Sequence, residues 1–184
     1  ISSEAFLPLT YGGGINSLDD ALRIIDIGYE KVILNTSAIT NPNLISEIAN
    51  KIGSQSIIVS IDVNFINNNY YVFSNNGEFN TNIVLRDYLK KVQHSGAGEI
   101  MITSIQNEGK MLGYDEELLK YIEDSVNIPL IINGGAKDYD CFKNVFKKFS
   151  VSACAASSVF LFIGKYKAVL ISYPNKKELM NIVR

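Results

Sequence analysis

Asp62 is the side chain in this sequence best placed to move a proton. It ends the apolar run at residues 56–62, in which Ile and Val predominate, so we expect it where a buried strand opens into a loop. A carboxylate with few charged neighbours in a partly dry site has a raised pKa and can act as a general acid or base near neutral pH. The alternative is a structural role, in which Asp62 caps a loop or a helix.

Two glycine runs indicate sites for anions. Residues 12–14 follow a short apolar stretch and precede a helix start at Ser17, and Gly134 and Gly135 stand in the same order before Asp138. Glycine lets the backbone approach a ligand closely, and the N–H groups at a helix start attract phosphate. A tight turn between strand and helix is the alternative interpretation of either run.

The spacing after each glycine run indicates an internal duplication. Thr36 follows Gly14 by 22 positions, and Ser157 follows Gly135 by 22 positions. In each unit a strand, glycines, a helix and a second strand lead to a residue with a hydroxyl group. In a parallel barrel the glycines and the hydroxyl meet at the carboxyl ends of neighbouring strands, so the sequence predicts two phosphate cradles.

Four other polar residues stand at predicted strand ends. Thr103 and Ser104 end one strand, where their hydroxyl groups either contact a substrate or cap the turn. Lys31 and Glu99 each begin a strand, so in a barrel they face the end opposite the active site. Charges in that position are usually solvated or paired with each other.

The elements that must position these residues alternate between strand and helix, which is typical of a parallel sheet buried on both faces. Strands are predicted at residues 6–11, 32–35, 56–62, 99–104, 129–132 and 151–157. Helices are predicted at residues 17–27, 43–52, 80–94, 116–125, 138–149 and 177–184, with a small hairpin at 67–76. The pattern fits a (β/α)₈ barrel of roughly 250 residues, with about six of its eight units in this chain.

Composition narrows the class of protein. The 184 residues suit a single domain, and a net charge of −2 without a basic cluster argues against nucleic acid as a partner. The apolar tract at 151–173 is interrupted by Gly164, Lys165 and Lys167, so we expect no membrane span. The two cysteines have no metal-ligand spacing, and we predict a cytoplasmic protein without a metal or a cofactor.

The single histidine, His94, ends a predicted helix, which argues against a Ser-His-Asp or a Cys-His catalytic set. The first residue is Ile1 rather than Met, and a strand follows within a few residues. We therefore expect the domain at residues 1–184 to lack its first two βα units, and we expect this fragment to be inactive by itself.

Taken together, these motifs resemble the HisF family, the cyclase subunit of imidazole glycerol phosphate synthase. The resemblance runs from residue 6 to the end, begins at the third strand of the family and implies an internally duplicated, phosphate-binding (β/α)₈ barrel. The segments that carry it are residues 8–15, 31–36, 60–62, 96–100, 103–104, 113–115, 134–136 and 155–157.

The resemblance implies an ammonia-dependent cyclase of histidine biosynthesis, a lyase that forms imidazole glycerol phosphate and an aminoimidazole ribotide. It implies a substrate with two phosphates and a heterodimer with a HisH-type glutaminase, which supplies the ammonia. It implies that Asp62 is catalytic and that Lys31 and Glu99 form a gate for ammonia. One phosphate would be bound by Gly13, Gly14, Asn35 and Thr36, and the other by Gly134, Gly135, Ala156 and Ser157.

Departures from the family pattern leave alternatives open. In residues 105–110 one acidic residue is lost, another is lengthened to Glu108, and Lys110 replaces a threonine; Asn64 replaces a basic residue. One alternative is a HisF-like accessory subunit that passes ammonia to an amidotransferase of surface-polysaccharide sugar biosynthesis. Another is the related isomerase of the histidine pathway, against which residues 113–115 and the gate pair argue.

Overall fold

The computed structural model describes residues 7–163 and 168–183. In these ranges an α/β fold forms around parallel strands that curl into a half-barrel. The strands are β1 (Thr10–Gly12), β2 (Lys31–Leu34), β3 (Ile57–Ile66), β4 (Asn69–Ser74), β5 (Phe79–Val84), β6 (Glu99–Ser104), β7 (Leu130–Asn133), β8 (Ala153–Cys154), β9 (Phe162–Ile163) and β10 (Ala168–Val169).

Helices connect the parallel strands, and those that follow Ser17, Asp115 and Asp138 begin at side-chain caps that the sequence provides. Ser17 accepts a hydrogen bond from the Asp20 backbone N–H at 3.1 Å, and Asp138 accepts one from the Cys141 N–H at 3.0 Å. The helices are α1 (Leu18–Asp26), α2 (Thr36–Thr40), α3 (Asn43–Ile52), α4 (Leu85–His94), α5 (Glu116–Ile122), α6 (Tyr139–Lys148), α7 (Ser158–Leu161) and α8 (Lys176–Val183).

The main sheet has the order β1-β2-β3-β6-β7-β8, and every neighbouring pair along this row is parallel. The carboxyl ends of these strands therefore lie along one edge of the sheet. Strand β4 pairs antiparallel with β3, and β5 pairs antiparallel with β4. The predicted parallel fold of the (β/α)₈ type is confirmed.

The core lies between the sheet and its helices. Alternate residues of the central strands, such as Val59, Ile61 and Ile102, are fully buried on the helix side. Because successive side chains of a strand point to opposite faces, the residues between them face the other side of the sheet. That second face carries Asp62 and Thr103.

The strand predicted at residues 56–62 and the hairpin that follows it are both longer than predicted. Strand β3 continues to Ile66 because residues 62–66 pair with β4, so Asp62 lies within the strand and not at its end. Residues 79–84 form strand β5, so the helix predicted to start at residue 80 begins instead at Leu85. The Thr81 hydroxyl donates to the Val72 carbonyl at 2.7 Å and fixes this segment to β4. Pairing with β4 therefore prevails over the helical pattern that the sequence suggests for residues 80–84.

The predicted strand at residues 151–157 is also wrong in extent. Only residues 153 and 154 pair with β7, and residues 155–157 form a loop that leads into α7. Neither α7 nor α2 is predicted from the sequence, because each is too short to show a periodic pattern. The strand predicted at residues 6–11 corresponds to β1, which covers residues 10–12. Other predictions rest on Phe6, residues 164–167 and Arg184, which lie outside the described residues.

None of the helices in the described ranges is both long and apolar enough to cross a bilayer. Across the same ranges, no group of three or more His, Cys, Asp or Glu residues is arranged to hold a metal ion. Both cysteines, Cys141 and Cys154, are free thiols.

Burial predicts where the fold is most sensitive to substitution. We expect Ile61→Ala, at a fully buried position, to lower the free energy of unfolding by about 2–5 kcal/mol, because it removes buried methyl groups and leaves a cavity. The matched variant Ile171→Ala, at a side chain that is 66% exposed, should change it by less than about 0.5 kcal/mol. Urea unfolding of both variants measures this, and equal losses would contradict the assigned core.

Candidate active site

Three polar residues form a row across the carboxyl ends of the central strands. Asp62 on β3 is the register partner of Thr103 on β6, and Thr103 is the register partner of Asn133 on β7. Register partners in a sheet point to the same face. The pairing of the strands therefore places one carboxylate, one hydroxyl and one amide side by side.

Asp62 is half-buried between polar side chains of the two neighbouring strands. Nδ2 of Asn35, the residue that follows β2, donates to Asp62 Oδ2 at 2.9 Å, and Thr103, the register partner of Asp62, lies beside it on β6. Burial disfavours the charged form and raises the pKa of Asp62, while the polar groups of Asn35 and Thr103 lower it by less. The net upward direction agrees with the expectation from the sequence.

Asn133 extends this network and was missed by the sequence interpretation. Its Nδ2 donates to Thr103 Oγ1 at 3.1 Å. One signal in the sequence could have found it, because an asparagine ends an apolar run in each of the two units. Asn35 belongs to the first predicted cradle, and Asn133 immediately precedes the second. Strand register, which the sequence does not state, is what places Asn133 beside Thr103.

The first predicted cradle is an open cavity. Gly13, Gly14, Asn35 and Thr36 line it together with other residues, and its volume is about 350 Å³. Gly13 has φ +113° and Gly14 has φ +72°, values that favour glycine. A Cβ atom at either position would meet nothing within 4 Å, so the backbone here faces free space that a ligand can occupy.

The second predicted cradle is narrow. Gly134, Gly135, Ala156 and Ser157 line one cleft, but its volume is only about 10 Å³, room for roughly one water molecule. Glu108 also lines the cleft. The structure thus brings the four predicted residues together without leaving space for a phosphate.

The loop at residues 105–113 closes this second cradle. The Gly113 N–H donates to the Gly135 carbonyl at 2.7 Å, and Asn107 Nδ2 donates to the Gly113 carbonyl at 3.0 Å. A Cβ atom on Gly135 would lie 2.3 Å from the Gly113 carbonyl oxygen, so glycine is required for this contact. An anion can bind at Gly134 and Gly135 only if the loop moves outward.

Thr103 and Ser104 face opposite sides of the sheet. Thr103 joins the row with Asp62, whereas the Ser104 hydroxyl donates to Asp115 Oδ2 at 3.1 Å. Asp115 also accepts from the Tyr70 hydroxyl and from the Leu118 backbone N–H, which it caps at the start of α5. The Ser104 hydroxyl is therefore held by the residue that caps α5, away from the face that carries Asp62, and of the two hydroxyl groups only that of Thr103 lies on this face.

Lys31 and Glu99 form an ion pair at the other edge of the sheet. Their side chains, which are 29% and 20% exposed, join the amino ends of β2 and β6. Glu99 precedes Thr103 by four residues, which is about 13 Å along a strand. The pair thus lies at the amino ends of the strands, far from the row that contains Asp62. The sequence predicted both charges at this end.

Comparison with known proteins shows to which family the chain belongs. Residues 1–167 match the family model His_biosynth, described as histidine biosynthesis protein. The chain belongs to this family. Proteins named imidazole glycerol phosphate synthase subunit HisF are 46% identical over 159 residues in Sulfolobus acidocaldarius and 43% identical over 161 residues in Natranaerobius thermophilus. The resemblance to HisF that the motifs indicated is confirmed.

The aligned regions cover most of this chain and a smaller part of its HisF relatives. They cover 86% of the chain and 63% of the Sulfolobus acidocaldarius protein, and 88% of the chain and 64% of the Natranaerobius thermophilus protein. A relative from Leptospira borgpetersenii is 42% identical over 177 residues, which is 95% of the chain and 70% of that protein. The chain thus spans about two thirds of the length of these curated relatives.

The raised pKa of Asp62 predicts a stability effect in this HisF-family chain. Because the folded state favours protonated Asp62 more than the unfolded state does, Asp62 contributes most to stability below its ordinary pKa, and that contribution falls as the pH rises through the raised value. Asp62→Asn cannot ionise and should therefore raise the free energy of unfolding at pH 7 but not at pH 3.

Urea unfolding of the parent chain, Asp62→Asn and Asp124→Asn at the two pH values measures this effect. Asp124 is an exposed carboxylate in the 3-10 turn Glu123–Ser125 that follows α5. A gain at pH 7 for Asp62→Asn alone is the expected result. A loss of stability at pH 7, or the same gain at both pH values, would contradict the inference that burial of the ionised Asp62 carboxylate destabilises the folded state.

Proposed function

We propose that this chain belongs to an ammonia-dependent cyclase of the HisF type, which forms imidazole glycerol phosphate and an aminoimidazole ribotide in histidine biosynthesis. The observation that carries the proposal is the arrangement of two glycine-lined sites on the same sheet edge as one half-buried carboxylate. The HisF names of the relatives support the same activity. A substrate with a phosphate at each end matches two cradles on one edge once the loop over the second moves outward.

In this proposal Asp62 is the catalytic acid and base. Ammonia must lose protons as its nitrogen forms bonds to carbon, and a carboxylate with a raised pKa can accept a proton and return it to a leaving oxygen. Asn35 and Thr103 hold the carboxylate, and Thr103 also contacts the substrate. No cofactor takes part in these steps.

The two phosphates would occupy the two cradles. Gly13 and Gly14 with Asn35 and Thr36 would hold one phosphate through backbone N–H groups and the threonine hydroxyl. The other would bind at the second cradle after residues 105–113 move outward. In (β/α)₈ barrels, sites for phosphate lie at this same edge, often at a short extra helix, and α2 and α7 are short helices at this edge.

The Lys31–Glu99 ion pair would serve as the gate for ammonia. It faces the edge opposite the cradles, and a partner bound there could deliver ammonia along the sheet face toward Asp62. We propose that the partner is a HisH-type glutaminase in a cytoplasmic heterodimer. We also propose that the 184 residues form one domain with six of the eight units of the barrel.

The accessory role in polysaccharide sugar biosynthesis is not favoured. It rests on the altered loop at residues 105–110, whereas the relatives carry the name of the synthase subunit. The loop covers the second cradle, so its changed residues bear on how that cradle opens rather than on the position of Asp62.

Turnover of the histidine-pathway ribotide with ammonia tests the proposed function. In the protein at the full length of its HisF relatives, Asp62→Asn should lower kcat by roughly 10²–10⁴-fold, because it removes the group that transfers protons. Lys31→Met is the matched control at the other edge of the sheet. It should keep ammonia-dependent turnover while glutamine-dependent turnover with the glutaminase falls several-fold.

Two outcomes would contradict this account. Full activity of Asp62→Asn would remove the carboxylate from the chemistry. No ammonia-dependent turnover by the parent protein, together with stimulation of the glutaminase, would instead support the accessory role.

A further inference from the structure

Asn133 makes a contact that the proposed chemistry does not require. It is the last residue of β7 and immediately precedes Gly134 of the second cradle. Its Nδ2 donates to Thr103 Oγ1 at 3.1 Å, and the two residues are register partners. The amide is thus one residue removed from Asp62 along the row, with Thr103 between them.

The chemistry of the three groups gives this row a direction. A threonine hydroxyl has one hydrogen to donate and two positions that accept. The amide nitrogen of Asn133 only donates, so its bond to Thr103 occupies an accepting position on Oγ1. The hydroxyl hydrogen remains available for an acceptor, and the Asp62 carboxylate lies on the other side of Thr103.

We infer that Asn133 is a positioning residue, which orients the Thr103 hydroxyl so that its hydrogen points at the Asp62 carboxylate. Asn133 thereby favours the ionised form of Asp62, although it does not touch that side chain. The consequence for catalysis rests on the proposed function of Asp62; the orientation of the hydroxyl does not.

Within residues 7–163 and 168–183, no charged side chain shifts the pKa of Asp62. The shift in the pKa of Asp62 comes from burial and from the polar groups of Asn35 and Thr103. Lys31 and Glu99 pair with each other at the far edge of the sheet. The titratable side chains on the neighbouring elements are Lys31 on β2, Tyr70 and Tyr71 on β4, Glu99 on β6, and Glu108 and Lys110 in the loop that follows.

The test is a pH titration of the Asp62 side-chain carboxyl carbon by NMR, on the chain without substrate. In Asn133→Ala the midpoint should move upward by roughly half a pH unit, the size expected for one net hydrogen bond. In a Thr103→Val background the same Asn133→Ala change should produce no further shift, because Asn133 acts through the hydroxyl that Thr103→Val removes.

Two more variants keep the test decisive. Asn133→Leu keeps a side chain of similar size and adds no charge but removes the donor, so the Asp62 midpoint should rise as it does in Asn133→Ala. This variant also serves if Asn133→Ala does not fold. Ile131→Val, two residues earlier on the same face of β7, is the matched control and should leave the midpoint unchanged.

An unchanged midpoint in both Asn133 variants would overturn the inference. So would an equal shift in the presence and absence of the Thr103 hydroxyl, since Asn133 would then act by another route. The titration needs no turnover, so a failure of the proposed cyclase activity and a failure of this inference are separate results.

Discussion

Parallel pairing in register is the constraint on which the candidate site depends. It places Asp62, Thr103 and Asn133, which are far apart in sequence, in one row on one face of the sheet. The loop residue Asn35 then reaches the carboxylate from the β2 side. A shift of one residue in β6 would turn Thr103 to the helix side and bring Ser104 or Ile102 to the row instead. The apolar residues that fix the register therefore also fix the chemistry.

The two cradles differ although their sequence pattern repeats. The first is open, with Gly13 and Gly14 facing free space, and the second is filled by the loop that contacts Gly135. The same kind of glycine conformation thus serves two purposes: Gly14 leaves space for a ligand, and Gly135 leaves space for a carbonyl oxygen of the chain itself. This difference implies that a ligand with two phosphates would engage the first cradle more readily and then displace the loop from the second.

The sequence was informative where local patterns decide the structure and less so where pairing between distant segments decides it. The order of the strands and the cap at Ser17 follow from apolar runs and turn residues. The end of the third strand does not, because residues 62–66 pair with β4 and carry the strand past Asp62. The extension of the hairpin through Thr81 does not, because it depends on pairing with β4. Asn133 was missed for a related reason: its partner is set by the register of β6 and β7.

The most direct test of the central claim is a crystal structure of the chain with a ribose analogue that carries a phosphate at each end. The account predicts one phosphate on Gly13, Gly14 and Thr36, the other on Gly134, Gly135 and Ser157, the ribose beside Asp62, and residues 105–113 displaced outward. A ligand whose second phosphate lies in solvent while the loop still contacts Gly135, or one bound away from Asp62, would contradict it.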